Sequence, residues 1–148
     1  IGVADGVGGW ADQGVDPGVY SAELMRHARA RLLKAPIPCP QDAIAFAHTM
    51  TKFLGSCTAC ALILDGGDKL KTVNLGDSGF LIAREGEGGQ LRVVYKSPFG
   101  QHDFNTPKQL STMGVDMPWH GDCQTLGVRT GDLLVAGTDG LWDNAYDA

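Results

Sequence analysis

Three apolar segments of this chain each run directly into an aspartate beside a glycine. They are Val3-Ala4-Asp5-Gly6, Asn74-Leu75-Gly76-Asp77 and Val135-Ala136-Gly137-Thr138-Asp139-Gly140. Each pattern is typical of a strand that stops at a turn, and strand ends can converge in a β-sandwich. Carboxylates gathered there would bind a hard divalent cation, and an adjacent glycine leaves its backbone carbonyl sterically free to act as a further oxygen ligand. Asp65-Gly66 is not a candidate for the cation site, because the same dipeptide is a common hairpin turn.

The segments between these motifs predict both helices and strands. Asp16 can cap a helix that has Pro17 at its first position, and apolar spacing predicts helices over 17–34 and 41–54. Segments 57–64, 69–75, 80–84 and 91–95 predict an antiparallel meander, and 133–136 predicts a final strand. Residues 97–121 combine proline and glycine with weak periodicity, which predicts an irregular surface segment holding a short helix over 108–113.

Composition narrows the classes of partner. The 148 residues suffice for one domain, and 12 Lys and Arg against 17 Asp and Glu give a net charge of -5, which argues against a nucleic-acid partner. No apolar run approaches the ~20 residues that a membrane-spanning helix needs. We therefore expect a protein with no nucleic-acid partner and no membrane span, and we take it to be a monomer.

The four cysteines allow two disulfides or one metal site. Cys57 and Cys60 form a C-x-x-C, but they lie in an apolar segment that predicts a strand, where residues three apart face opposite sides. They would not bind one metal ion together. Because no second paired motif exists, the sequence favours small buried thiols in a reducing compartment over a zinc or thioredoxin-like site.

Several strings together resemble a known family. DGVGGW (5–10), GSCTACALIL (55–64), NLGDSGF (74–80) and GDLLVAGTDGLWDN (131–144) resemble the metal-dependent, type 2C protein serine/threonine phosphatases, in the family's order. FNTPKQL (104–110), with Val7 where many members carry histidine, is similar to the branch often found in mitochondria and plastids. The resemblance implies an α+β fold in which two antiparallel sheets form a sandwich flanked by helices.

The resemblance also implies a site at the sheet edge with two Mn2+ or Mg2+ ions. Asp5 would bridge the ions, the Gly6 carbonyl would bind one and Asp139 the other, while Asp77 and Asp143 would contribute to a weaker third site. The implied reaction is hydrolysis of phosphoserine and phosphothreonine in phosphoprotein substrates by a metal-bound water. Two such ions can lower the pKa of a shared water and stabilise charge on the attacking and leaving oxygens.

The chain also departs from the family pattern. The family's N-terminal strand, with an arginine for the substrate phosphate and acidic ligands, would precede Ile1, and its C-terminal Asp ligand would follow Ala148. Because Val7 replaces the histidine proposed as general acid, proton donation would come from water or another residue. We expect residues 1–148 to be a single partial phosphatase domain, missing both ends, with little or no turnover of its own.

The sequence also allows other interpretations. The protein could be a catalytically silent homologue that serves as a binding or regulatory module, or its substrate could be a non-protein phosphate ester. Ser78, in a Gly-Asp-Ser-Gly string, lacks the histidine partner of a protease triad and is expected to serve its turn. Trp10 and Trp142 are expected to pack the metal loops rather than stack on substrate.

The branch resemblance and the irregular segment suggest two further expectations. Residues 97–121, with Phe104 and Asn105, are the candidates for substrate selection, because long irregular segments near a cleft commonly carry specificity. An intracellular location follows from the family, with the mitochondrion as the first choice and the plastid or cytosol as alternatives.

Overall fold

The apolar segments pair into antiparallel sheets in the computed structural model, which describes residues 1–114 and 116–145. Val115, in the predicted irregular segment, and residues 146–148, at the end of the predicted domain, lie outside the described residues. The α-helices are α1 (Pro17–Lys34), α2 (Pro40–Met50) and α3 (Asp139–Trp142), and short 3-10 helices span Gly8–Gln13, Glu87–Gly89 and Pro118–His120. The strands are β1 (Gly2–Val3), β2 (Ser56–Cys57), β3 (Ala59–Asp65), β4 (Lys69–Leu75), β5 (Gly79–Glu85), β6 (Leu91–Lys96), β7 (Gln101–Asp103), β8 (Thr106–Pro107), β9 (Leu110–Ser111), β10 (Asp122–Gly127) and β11 (Leu133–Gly137).

The strands form two main sheets. The first has the order β1-β3-β4-β10 and the second the order β11-β5-β6, and every pair within them is antiparallel. The short strands form two ladders, β2 with β9 and β7 with β8. This arrangement confirms the predicted α+β fold with two antiparallel sheets and helices.

Alternate residues of β3 and β4 face two different cores. Ala61 and Val73 pack with Leu24 and Ile44 of α1 and α2, in a cluster between the helices and the first sheet. Another cluster joins the two sheets, and its buried members are Cys60, Leu62, Leu70, Phe80, Ile82 and Val128. The first sheet is therefore the middle layer, which is why its central strands read as nearly continuous apolar runs.

Cys57 and Cys60 lie where the strand argument predicts. Cys57 belongs to the helix-side cluster and Cys60 to the cluster between the sheets, so the two thiols face opposite sides. The expectation of buried thiols is confirmed for this pair and is wrong for the other two, because Cys39 is half-buried and Cys123 is exposed.

The two long helices differ in how well the sequence predicts their ends. Asp16 accepts a hydrogen bond from the Gly18 amide, and Pro17 opens α1 as predicted. The second helix ends at Met50, four residues before the predicted end. After Met50 the backbone leaves the helix, and the Lys52 amide donates instead to Glu23 Oε2 of α1 at 3.1 Å.

The predicted meander is wrong at one connection. β3 and β4 form the expected hairpin through Gly66 and Gly67, but β5 pairs with β6 and β11 rather than with β4. The chain changes sheets at Gly76, whose φ of +99° turns the backbone sharply after β4. Local periodicity carries no information about such a sheet change.

The segment after β6 also contains more strand than predicted. The helix expected over 108–113 is absent from the described part of the segment, where β9 pairs with β2 instead. Residues 101–107 form the β7–β8 hairpin, and β10, which the sequence analysis missed, is the edge strand beside β4. These strands are short or polar, so alternation of apolar residues does not reveal them.

Candidate metal centre

The three predicted strand ends meet at one cavity. Asp5 follows β1, Asp77 follows the sheet change after β4, and Asp139 opens α3 just after β11. All three line a cavity of about 220 Å3, which also includes Gly6 and Val7. The first and second sheets thus contribute carboxylates to the same end of the sandwich.

The backbone at Gly6 is fixed by its neighbours. The Thr58 amide donates to the Asp5 carbonyl and the Val7 amide to the Ser56 carbonyl, both at 3.0 Å, around a bridge between Gly6 and Cys57. In this antiparallel pattern the amide and carbonyl of Gly6 itself face away from Cys57. A Cβ at Gly6 would clash with the Pro17 carbonyl, so only glycine fits and its carbonyl is left for another partner.

The carboxylates at this cavity repel one another. Burial, followed by a hydrogen bond with Asp139, raises the pKa of Asp5, although a hydrogen bond with Thr138 opposes the change. The pKa of Asp77 is raised first by burial and then by the charges of Asp139, Asp143 and Asp5. Such a concentration of negative charge is an electrostatic arrangement that a bound cation would relieve.

Asp143 lies on the far side of Asp77 and Asp139. A neighbouring cavity of about 160 Å3 is lined by Asp77, Asp139 and Asp143, whereas Asp5 lies only on the first cavity. The structure therefore brings the five predicted site residues to two adjoining cavities that share Asp77 and Asp139.

The oxygen donors fit a hard divalent cation as a partial shell. Carboxylates and a backbone carbonyl are the ligand types that Mg2+, Mn2+ and Ca2+ prefer. Within residues 1–114 and 116–145, no group of three or more Asp, Glu, His or Cys side chains is close enough to hold a metal ion by itself. Water or other ligands must therefore complete any coordination at Asp5, Gly6 and Asp139.

A buried pair of hydroxyl groups, which was not predicted from the sequence, supports the backbone of the site. The Asp5 amide donates to Thr58 Oγ1 at 3.1 Å, and Thr58 Oγ1 lies 2.6 Å from Ser78 Oγ. Ser78 is fully buried, so it serves the turn beside Asp77, as expected. The Asp139 carboxylate is fixed differently, because its Oδ1 accepts the Gly140 amide at 2.7 Å.

The two tryptophans have structural hydrogen bonds. Trp10 Nε1 donates to Ser56 Oγ at 2.6 Å, and that hydroxyl donates to Gln109 Oε1. Trp142 Nε1 donates to the Gly137 carbonyl at 2.8 Å, which closes the turn around Asp139. Both contacts hold loops that carry site residues, consistent with the packing role that we predicted.

The β7–β8 hairpin borders both cavities. Asn105 at its tip has a φ of +53° and lines both of them, while the neighbouring Phe104 is 92% exposed. On the other face of the hairpin, His102 Nε2 lies 2.8 Å from Oδ2 of the buried Asp116, which also accepts the Gln109 amide. His102 therefore anchors the hairpin and does not line either carboxylate cavity.

The relatives of this chain are protein phosphatases. No protein-family model matches the chain. The chain is 46% identical over 150 residues to "Probable protein phosphatase 2C 55" of Arabidopsis thaliana, covering 99% of this chain and 31% of that protein. It is 44% identical over 164 residues to "Protein phosphatase PTC7 homolog" of Homo sapiens, covering 99% of this chain and 52% of that protein.

Solved structures show the same fold. The X-ray structure of the photosystem II phosphatase PBCP matches with a TM-score of 0.88 and 32% identity over 99% of this chain and 56% of that one. The catalytic domain of the serine/threonine phosphatase PstP, solved with two manganese ions, has a TM-score of 0.71 at 20% identity. It covers 99% of this chain and 69% of that domain, and supports the fold alone.

The two-sheet fold and these relatives point to one class of protein. Over 99% of its length the chain is similar to the type 2C protein phosphatases. Its relatives include the PTC7 homologues, in agreement with the branch that the FNTPKQL string indicated. The chain spans between about a third and a half of the length of the curated relatives described above.

Proposed function

We propose that these residues form the central part of a phosphatase domain that hydrolyses phosphoserine and phosphothreonine in proteins at a binuclear Mn2+ or Mg2+ site. The observation that carries the proposal is the convergence of Asp5, Asp77 and Asp139 on one cavity, with the pKa values of Asp5 and Asp77 raised. No cationic side chain lines that cavity among the described residues, so a cation is the partner that the charges require.

The residues have separate proposed roles. From the family resemblance, Asp5 would bridge two cations, while the Gly6 carbonyl would bind one and Asp139 the other; all three residues line the first cavity. Asp77 and Asp143, on the adjoining cavity, would contribute to a weaker third site. When bound, two such cations lower the pKa of a water molecule and stabilise negative charge on both oxygens of an in-line phosphoryl displacement.

Pre-organisation is the contribution of the surrounding residues. Thr58 and Ser78 fix the backbone that carries Asp5 and the turn that carries Asp77, so the carboxylates do not need to be gathered when a cation binds. Val7 lines the cavity and cannot donate a proton. We therefore assign protonation of the leaving group to water rather than to a side chain at this position.

Substrate selection is proposed for the β7–β8 hairpin. Its tip places Asn105 against the carboxylates and leaves Phe104 in solvent, where an aromatic ring can contact a peptide that extends from the cavity. Replacing both residues by alanine should change the ranking of phosphopeptides while hydrolysis of a small phosphate ester is retained. An unchanged ranking would remove the hairpin from the proposal.

The direct test is Mn2+-dependent phosphate release from a phosphothreonine peptide by the natural full-length protein. Asp5→Asn and Asp139→Asn should each abolish release, and titration calorimetry should show weakened Mn2+ binding. Asp68→Asn is the matched control, since Asp68 is an exposed aspartate in the β3–β4 turn. Release that survives both site substitutions would refute the two-cation site.

A silent binding module is the second candidate. It is favoured by one observation, namely that the described residues do not form a complete set of metal ligands. A folded full-length protein that binds phosphopeptide but releases no phosphate at any Mn2+ concentration would support this alternative. Release of phosphate from small esters alone would instead point to a non-protein substrate.

The proposed compartment is the mitochondrion, which rests on the branch resemblance and on the PTC7 homologues among the relatives. No helix within the described residues is long and apolar enough to cross a membrane. Subcellular fractionation of the full-length protein tests the assignment, and enrichment in plastids or cytosol would overturn it.

A further inference from the structure

Two of the four thiols lie outside the cores and close to each other. Cys39 is half-buried at the residue before α2, and Cys123 is exposed on β10, the edge strand of the first sheet. Neither takes part in the carboxylate cavities. Their position is independent of the proposed phosphatase chemistry.

The register of β10 determines which way Cys123 points. Cys123 is paired with Val73 of β4, and Val73 belongs to the cluster between the first sheet and the helices. Leu126, three residues after Cys123 on the same strand, packs instead against the cluster between the two sheets. Because side chains alternate along a strand, Cys123 lies on the helix side of the sheet.

The N-terminus of α2 lies on that same side of the sheet. Cys39 and Cys123 line one open cavity of about 270 Å3, together with Pro40 of α2 and Thr72 of β4. Burial raises the pKa of Cys123, and the nearby Asp122 carboxylate and the Cys39 thiol raise it further. Among the described residues, Cys123 Sγ donates one long hydrogen bond, of 3.8 Å, to the Gly121 carbonyl.

The remaining two thiols offer an internal contrast. Cys57 and Cys60 are fully buried, and burial raises the pKa of each to about 12. A buried thiol of this kind is protonated at neutral pH and closed to reagents, so it is chemically inert. Only Cys39 and Cys123 combine access to solvent with a neighbouring thiol.

We propose that Cys39 and Cys123 form a redox-active pair that closes to an intramolecular disulfide when the oxidant is a small disulfide such as glutathione disulfide. One cysteine thiolate attacks a sulfur of the oxidant, forming a mixed disulfide and releasing one glutathione thiolate. The second cysteine thiolate then attacks the protein sulfur of that mixed disulfide and releases the other. The two protein thiols lose two electrons, the oxidant gains them, and the two protons pass to the released glutathiones.

The bond would tie the start of α2 to the open edge of the first sheet. It would close a long loop that contains α2 and β2 to β9, including the turn at Asp77 and the β7–β8 hairpin. Cross-links across long loops restrict the unfolded chain strongly. For a domain of this size we expect oxidation to raise Tm by on the order of 10 °C.

The experiment uses the full chain, incubated with glutathione disulfide, blocked with N-ethylmaleimide and digested with trypsin without reduction. Cleavage after Lys and Arg places Cys39 in peptide 35–52, Cys123 in 109–129, and both buried cysteines in 53–69. We expect 35–52 cross-linked to 109–129, a raised Tm that dithiothreitol reverses, and peptide 53–69 free of modification. Mass spectrometry distinguishes the three peptides directly.

Cys39→Ser and Cys123→Ser are the matched variants. Each should lose the cross-link and the rise in Tm, and should accumulate a glutathione adduct on the thiol that remains. Their Tm under reducing conditions should equal that of the unmodified chain, which separates loss of the bond from loss of folding. If the chain with both cysteines carried a separate glutathione adduct on each and no cross-link, the proposal would be overturned. A cross-link through peptide 53–69 would overturn it as well.

Discussion

Replacing Gly76 by alanine tests the sharp turn that joins the two sheets beside Asp77. Gly76 has a φ of +99°, and a Cβ there would lie 2.6 Å from Thr58 Cγ2 and 2.8 Å from the Lys108 carbonyl oxygen. Gly131 provides the matched control. Its φ is +93°, but nothing lies within 4 Å of the position that a Cβ would occupy.

The two variants share one cost and differ in another. A positive φ costs an L-residue about 1–2 kcal/mol, and this strain applies at both sites. Forcing a methyl group into a packed site costs about 1–3 kcal/mol more, and this applies only at Gly76. We therefore expect the free energy of unfolding to fall by about 1–2 kcal/mol for Gly131→Ala and about 2–5 kcal/mol for Gly76→Ala.

Urea unfolding of both variants under identical conditions measures the difference. If the m-values stay constant, the shift in midpoint reports stability directly. The Gly76 carbonyl also accepts the Gly100 amide at 2.8 Å, so displacement of this turn should disturb the base of the β7–β8 hairpin and weaken Mn2+ binding. Equal stability losses in the two variants would refute the close-approach argument.

Three further predictions address charge. Two hydrogen bonds from Arg84, at 2.6 and 2.7 Å, lower the pKa of Asp132 to about 2. The ionised Asp132 therefore stabilises the fold fully above its ordinary pKa of 3.8, and this stabilisation is lost as the pH falls towards 2. The urea midpoint should therefore fall more steeply over this range than that of Asp132→Asn, and parallel curves would contradict the linkage. Asp116→Asn should raise KM for a phosphopeptide, by loosening the His102 anchor, and leave hydrolysis of p-nitrophenyl phosphate unchanged; equal losses on both substrates would exclude a hairpin effect. Asp5→Asn should raise the Tm of the metal-free protein, because it removes a half-buried charge beside Asp139, and should abolish the rise in Tm on adding Mn2+; a lowered metal-free Tm would contradict this.

The sequence predicts well those elements whose burial is encoded locally. Asp16 and Pro17 define the start of α1, and the long apolar runs of β3 and β4 reflect a sheet that is covered on both faces. Strands β1, β4 and β11 each end just before one of the aspartates that the structure brings together. A strand's last residue and its turn residue are neighbours in sequence, so the location of the site follows from short-range information.

Two kinds of feature escape such reasoning. The edge strand β10 contains Asp122, Cys123, Gln124 and Thr125 in succession, so its pairing with β4 leaves no apolar alternation to detect. The hydroxyl pair of Thr58 and Ser78 joins residues 20 positions apart, one just before β3 and the other just before β5, and the sheet change at Gly76 brings them within 2.6 Å. Both features depend on contacts between segments that are distant in sequence.

The repulsion among the carboxylates explains why several hydrogen bonds hold the backbone around this cavity. Three acids facing one space destabilise the fold without a cation, because burial and mutual repulsion raise the pKa values of Asp5 and Asp77. Flexible supports would let these acids separate and lower their energy. Thr58 holds the backbone of Asp5, while the Gly140 amide and the Trp142 indole hold the turn around Asp139. These contacts keep the repulsion in place, so that binding a cation releases it and stabilises the folded chain.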